Sequence, residues 1–138
     1  MSAYAVSEQS IHDGVRTRIR DALSVAVQIP GVSFTPPRDS DNRGLPWVRL
    51  AVQWTGREAE LVYRQRTRGV VILSVFVPID TGTGALNDLV DDVVEALEAG
   101  DMGAVQFERI EVKQSSSASE RAGWLQRNVH ASFWIDEV

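Results

Sequence analysis

Apolar residues recur at helical spacing near the start of the chain. Ser7 or Ser10 can cap a helix whose apolar side chains then lie three or four positions apart. These side chains are Ile11, Val15, Ile19, Ala22, Leu23, Ala26 and Val27. Pro30-Gly31 cannot continue a helix, so the pattern predicts a first helix that ends there. Residues 31–45, which contain Pro36-Pro37, have no regular period and predict a loop.

A period of two follows this loop and predicts three strands. The first strand opens at Leu45-Pro46 and runs to Trp54, where Thr55-Gly56 breaks it or forms a bulge. Residues 57–68 are rich in charge and predict a second strand within a mobile hairpin arm. Residues 70–77 predict a third strand that Pro78 ends.

The second half of the chain predicts one more helix and two more strands. Thr81-Gly82-Thr83-Gly84 is a turn before an apolar helical stripe, and Gly100 stands where a C-terminal cap belongs. The stripe consists of Leu86, Leu89, Val90, Val93, Val94 and Leu97. Residues 105–114 and 125–135 then predict the fourth and fifth strands.

The predicted order is therefore α-β-β-β-α-β-β in one domain over residues 1–138. This order favours an α+β fold with one mostly antiparallel sheet of about five strands and both helices on one face. The third strand is apolar on both faces, although two helices can cover only one. Its second face must meet either a neighbouring subunit or the loop 31–45 folded across it.

Composition narrows the class of function. The chain has no cysteine, which excludes disulfide scaffolds, thiol nucleophiles and thiolate metal sites. The net charge is −5, and its distribution is uneven: residues 1–85 carry +2 and residues 86–138 carry −7. A subunit whose two parts carry opposite net charges suits head-to-tail contacts between copies, although an ordinary acidic helix face explains the same charges.

The sequence contains no recognisable catalytic motif. Gly-x-Ser-x-Gly is absent, and nothing ties His12 or His130 to a serine and a carboxylate, so both are expected to be surface or interface residues. Gly82-Thr83-Gly84 lacks the residues that complete a phosphate loop and is explained by a helix-capping turn. We therefore predict no catalytic, cofactor-binding or metal-binding residue.

Two charged groups are candidates for contacts. The acidic residues of the second helix are predicted to form a solvated face, a channel lining or a subunit contact; they include Asp88, Asp91, Asp92 and Glu95. A candidate subunit or tube interface combines the charged arm with one face of the third strand. It consists of Arg57, Tyr63, Arg64, Arg66, Arg68, Val71, Leu73 and Val75, with the opposite face of that strand as the alternative.

The order of these segments resembles the tail terminator proteins of long, non-contractile-tailed bacteriophages, of the minor tail protein U type. The similarity spans roughly residues 8–137. It rests on the short first helix, the strand Leu45-Pro46-x-Val48-x-Leu50-x-Val52 into Thr55-Gly56, the charged arm, the segment 69–78 and the final aromatic strand 129–135.

This resemblance implies a structural protein with no catalytic residue and no cofactor. Such proteins form a hexameric ring on the head-proximal end of the tail tube, stop its polymerisation and present a surface for head–tail joining. The implied partners are further copies of the chain, the tube protein and the neck or head-completion proteins. DNA would pass through the lumen without specific binding, and the protein would be assembled in the host cytoplasm into the virion tail.

Two other functions stay open on the sequence. A head–tail neck ring is one, because the loop 31–45 and the run 114–123 are longer than a terminator requires. The other is a small enzyme or ligand-binding domain with Asp91, Asp92, Glu95 or His130 in its site.

Overall fold

The chain folds as two helices packed on one face of a sheet. The computed structural model describes residues 8–61, 64–99, 105–113, 119–121 and 124–137. The helices are α1 (Glu8–Leu23) and α2 (Gly82–Glu98). The strands are β1 (Ala26–Gln28), β2 (Trp47–Leu61), β3 (Arg64–Pro78), β4 (Gln106–Lys113), β5 (Ser119–Arg121) and β6 (Trp124–Glu137). The predicted α+β class with both helices on one face is confirmed.

The sheet is mostly antiparallel, as predicted. Its strand order is β1-β2-β3-β6-β4, and β5 pairs with the first residues of β6. Among the described strands, β1 and β2 are the one parallel pair. Strands β2 and β3 form one long hairpin. Strand β6 pairs with β3 from the Gln65 and Glu137 pair at one end to the Pro78 and Trp124 pair at the other. The charged arm is therefore an extension of a three-stranded sheet.

The number of strands in this hairpin was predicted wrongly. Residues 57–68 do not form a separate strand, because β2 continues to Leu61 and β3 begins at Arg64. The pairing register shifts between Trp54 and Gly56, which confirms the bulge and rules out a break. A bulge adds one residue to one strand and lets the pairing continue beyond it.

The first helix is shorter than predicted. It ends at Leu23, and Ser24 adopts a left-handed backbone conformation (φ 55°) while its N–H donates to the Arg20 carbonyl at 2.9 Å. Ala26 and Val27 therefore belong to β1, where Val27 pairs with Val48. Both residues suit a helical stripe, but Val27 and Ile29 are buried while Ala26 and Gln28 are half-buried, which is strand alternation.

The core lies between the helices and one face of the sheet. The apolar side chains of α1 (Ile11, Val15, Ile19) and of α2 (Leu86, Val90, Val93, Leu97) are almost entirely buried there. The sheet contributes Val48 and Leu50 from β2, Val71, Leu73, Val75 and Val77 from β3, and Leu125, Val129, Ala131, Phe133 and Ile135 from β6. These residues of the predicted stripes face the core, whereas Leu23, Leu89 and Val94 are half-buried at its edge and Ala22 is exposed.

Candidate protein-binding face of the sheet

The sheet face opposite the helices, called here the open face, is the candidate functional site. Alternation along each strand assigns its residues, since neighbouring positions point to opposite faces. It carries Ala51 and Gln53 of β2, Arg66, Arg68, Val70 and Ile72 of β3, Glu111 and Lys113 of β4, and His130, Ser132 and Trp134 of β6. Neither helix packs against this face.

The loop 31–45 covers one end of the open face. Phe34 lies with its ring centroid 5.0 Å from that of Trp47, and Trp47 stacks on Phe76 at 4.1 Å. Trp124 meets the Trp47 ring edge-on at 6.0 Å. Trp47 and Phe76 are consequently buried although no helix covers them. The loop alternative from the sequence is thus correct for this end of the sheet.

The middle of the open face is apolar and only partly covered. Val70 and Ile72 are half-buried, and so is Ala51, which pairs with Ile72 across the hairpin. Ser74, the polar interruption of this face, is buried and pairs with Arg49. Exposed apolar surface framed by polar residues is typical of a protein contact.

Arginine and aromatic side chains occupy the far end of the open face. The Arg66 guanidinium carbon lies 4.0 Å from the centroid of the Trp134 ring, a cation–π distance. Arg68 Nη1 lies 2.5 Å from Glu108 Oε1 of β4. Both arginines therefore have contacts within the chain, Arg66 with the Trp134 ring and Arg68 with Glu108.

Charged residues line the β4 side of the open face. Glu111 accepts a hydrogen bond from Lys113 at 3.0 Å and lies 2.5 Å from Arg109 Nε. The Lys113 hydrogen bond and the charge of Arg109 hold the pKa of Glu111 below its ordinary value. His130 pairs with Glu111 in the sheet register, and burial followed by the charge of Lys113 lowers its pKa. At neutral pH this histidine is therefore uncharged and the carboxylate is charged.

The predicted interface on β3 faces the wrong side of the sheet. Val71, Leu73 and Val75 are fully buried beneath the helices, so they cannot contact a partner. The exposed alternative is the opposite set, with Val70 and Ile72 on the open face. The strand alternates as predicted, but the sequence does not say which of two apolar faces the helices cover.

The charged arm is described only in part. Arg66 and Arg68 lie on the open face, while the backbones of Arg57 and Arg64 belong to β2 and β3. The side chains of Arg57 and Arg64, and Tyr63 as a whole, lie outside the described residues.

The acidic residues of α2 lie on the solvent side of the helix. Asp88, Asp91, Asp92 and Glu95 are all exposed, as is Glu98. The pattern of the helix explains this, since these positions lie opposite the buried stripe. Among the described residues no group of three His, Asp or Glu side chains is placed to hold a metal ion.

One of the two histidines is not a surface residue. His12 is buried on α1 next to Ile11, and its Nε2 has no hydrogen-bond partner within the described part of the chain. The expectation of a surface or interface position was wrong for His12, because its position on the helix lies beside the core stripe.

In the described segments, neither helix is long and apolar enough to cross a membrane.

A cleft beside β1 was not predicted from the sequence. It has a volume of about 560 Å³ and is lined by Arg16 and Arg20 of α1, by β1 and by residues 32–34. The spacing of four between the two arginines was visible and places them on one side of a helix. The cleft was not predicted because the residues of β1, which form one of its walls, were assigned to the first helix.

Comparison with known proteins gives the fold but no function. No family model matches the chain, and no curated protein matches it. Among the solved structures that match, one is 21% identical with a TM-score of 0.54, and the match covers 96% of each chain. Its name carries no functional description. At this level of identity the similarity shows a shared fold across almost the whole chain.

Proposed function

We propose that this protein is a tail terminator, a structural protein without a catalytic role that forms a ring on the head-proximal end of a phage tail tube. The ring stops polymerisation of the tube protein and presents a surface for head–tail joining. DNA passes through its lumen without specific binding, and the protein is part of the virion tail after assembly in the host cytoplasm.

The observation that carries this proposal is the open face of the sheet. Helices stabilise the other face, so the fold does not need the half-buried Val70 and Ile72 for its core. These residues lie between the aromatic cluster around Trp47 and the arginines at the far end. An apolar centre with an aromatic and arginine-rich border is the composition of a protein interface. We assign the open face to contact with the tube protein.

The fold supports the same proposal. The segments on which the resemblance rests form α1, β2, β3 and β6 in that order, and the long β2–β3 hairpin provides an extended surface. Strand β2 has 15 residues, about three times the usual strand length.

The phenotype of a deletion tests the function. In the phage or prophage that encodes this chain, loss of a terminator gives overlong tails without heads, because nothing stops the tube. Loss of a neck protein instead leaves tails of normal length that are not joined to heads. Electron microscopy of lysates, with tail lengths measured against the complemented strain, distinguishes the two. Tails of normal length on complete, joined virions would contradict both functions.

A further inference from the structure

The helix layer gives the molecule two chemically different sides. Helix α1 contacts β1 and β2, whereas α2 contacts β3, β6 and β4, and the helices pack against each other. The strand order then places α1 with β1 at one side of the molecule and α2 with β4 at the other. Among the described strands, β1 pairs only with β2 and β4 only with β6, so each side ends in an open strand edge.

On the α1 side the cleft is basic, because two arginines and no acidic residue of the described segments line it, although α1 as a whole carries three acidic residues and three arginines. Arg16 and Arg20 border the cleft, and the exposed Val32 contributes to its apolar wall. Arg16 Nε is out of contact with solvent and has no hydrogen-bond partner among the described residues. A guanidinium N–H that is removed from water without an acceptor costs free energy, which a carboxylate placed in the cleft would recover.

The α2 side is acidic around an apolar residue. Asn87, Asp91 and Glu98 recur at spacings of four and seven, which places them along one side of the helix. Asn87 accepts a hydrogen bond from Arg127 of β6, so this side of α2 faces away from α1. Asp91 and Glu98 are exposed, and the half-buried Val94 lies between them. The helix carries five acidic residues and no basic residue.

We propose that these two sides bind each other in successive copies of the chain. Arg16 and Arg20 of one copy pair with Asp91 and Glu98 of the next, and Val94 packs against the cleft wall at Val32. This inference rests on the proposed ring and identifies its subunit contact. A contact between two different sides is head-to-tail, so it leaves one free side on each copy and closes into a ring when the rotation permits.

Complementary charge reversal tests the contact. One variant carries R16E and R20E, and the other carries D91R and E98R. Each variant then has like charges on both of its sides, so each alone should assemble at least about a hundredfold more weakly than wild type. In a mixture, every side of one variant meets an opposite charge on the other. The equimolar mixture should therefore form alternating rings, measured by sedimentation velocity and negative-stain microscopy.

The controls separate failure of the contact from failure of the ring. R38E/R43E makes the same charge change on the loop 31–45 and should assemble like wild type. Circular dichroism and urea unfolding establish that each variant is folded. If wild type assembles but the mixture does not, or if either variant assembles alone, this contact is wrong while the ring survives. If wild type is monomeric at every concentration, the contact is overturned as well, and the deletion phenotype alone decides the function.

Discussion

At the scale of single residues, one glycine determines how β2, β3 and β6 fit together. Gly69 pairs with Trp54 on one side and with Phe133 on the other. Trp54 and Phe133 meet edge to face at 5.5 Å across the position where a side chain would stand. Glycine usually weakens a strand, but here its missing side chain lets a buried ring close over the backbone.

Gly69→Ala should therefore destabilise the protein by about 2 kcal/mol, the usual cost of overpacking a core. A Cβ at this position would lie 2.6 Å from Phe133 Cζ and 2.9 Å from the Gln53 carbonyl oxygen. Phe133 is fully buried and cannot move aside cheaply. Urea unfolding measures the loss.

Gly84→Ala is the matched control for this substitution. Gly84 lies in α2, and nothing is within 4 Å of its added Cβ. Alanine in a helix should stabilise the protein by about 0.5 kcal/mol through the backbone entropy of the unfolded chain. Equal stabilities of the two variants would refute the packing explanation.

At the scale of elements, β3 shows how one strand serves two purposes. Its odd-numbered residues from Val71 to Val77 fill the core beneath the helices, and its even-numbered residues form the open face. The strand is hydrophobic on both sides, which is unusual when only one sheet face is covered. The loop 31–45 explains the burial of Phe76 but not the apolar character of Val70 and Ile72.

Aspartate substitutions at Ile72 and Leu73 should separate these two purposes. Leu73 is fully buried, so Leu73→Asp places a charge in the core and should cost about 4 kcal/mol or more, enough to unfold the domain. Ile72 is half-buried on the open face, so Ile72→Asp should leave the protein folded and abolish binding to the tube end.

Thermal unfolding and cosedimentation with isolated tubes measure the two effects. An Ile72→Asp protein that still caps tubes would show that the open face is not the tube contact. Ala85 is exposed on α2, away from the open face, so Ala85→Asp is the control and should leave tube binding unchanged.

At the scale of the whole molecule, different kinds of surface point in different directions. Arginines line the cleft beside α1, acidic residues lie along one side of α2, and the open face carries apolar and aromatic groups. Ion pairs at exposed sites weaken as salt shortens the screening length from about 10 Å at 0.1 M to about 3 Å at 1 M. Apolar contacts are not screened in this way.

Raising the salt concentration from about 0.1 M to about 1 M should therefore dissociate subunits from one another while tube binding by single subunits persists. Sedimentation velocity follows the first equilibrium, and cosedimentation with tubes follows the second. Self-association that is unchanged or strengthened by salt would contradict a subunit contact made by Arg16, Arg20, Asp91 and Glu98.

Much of the fold could be predicted because its signals are local. The stripe of α2 and the alternation of β3 and β6 are visible within windows of about ten residues, and Pro78 ends β3 as expected. The end of α1 could not be predicted in this way. Residues 25–29 suit a helix and a strand equally, and pairing with β2, about twenty residues further along, decides between them.

The candidate site was predicted in composition but not in placement. The sequence by itself determined that β3 is apolar on both faces, that α2 has an acidic side and that arginines lie near the hairpin, because these properties follow from residue spacing alone. Only the tertiary structure decided which face the helices cover, that Arg66 and Arg68 have contacts within the chain, and that Arg16 and Arg20 border a cleft. These facts depend on contacts between segments distant in sequence, and local periodicity carries no information about such contacts.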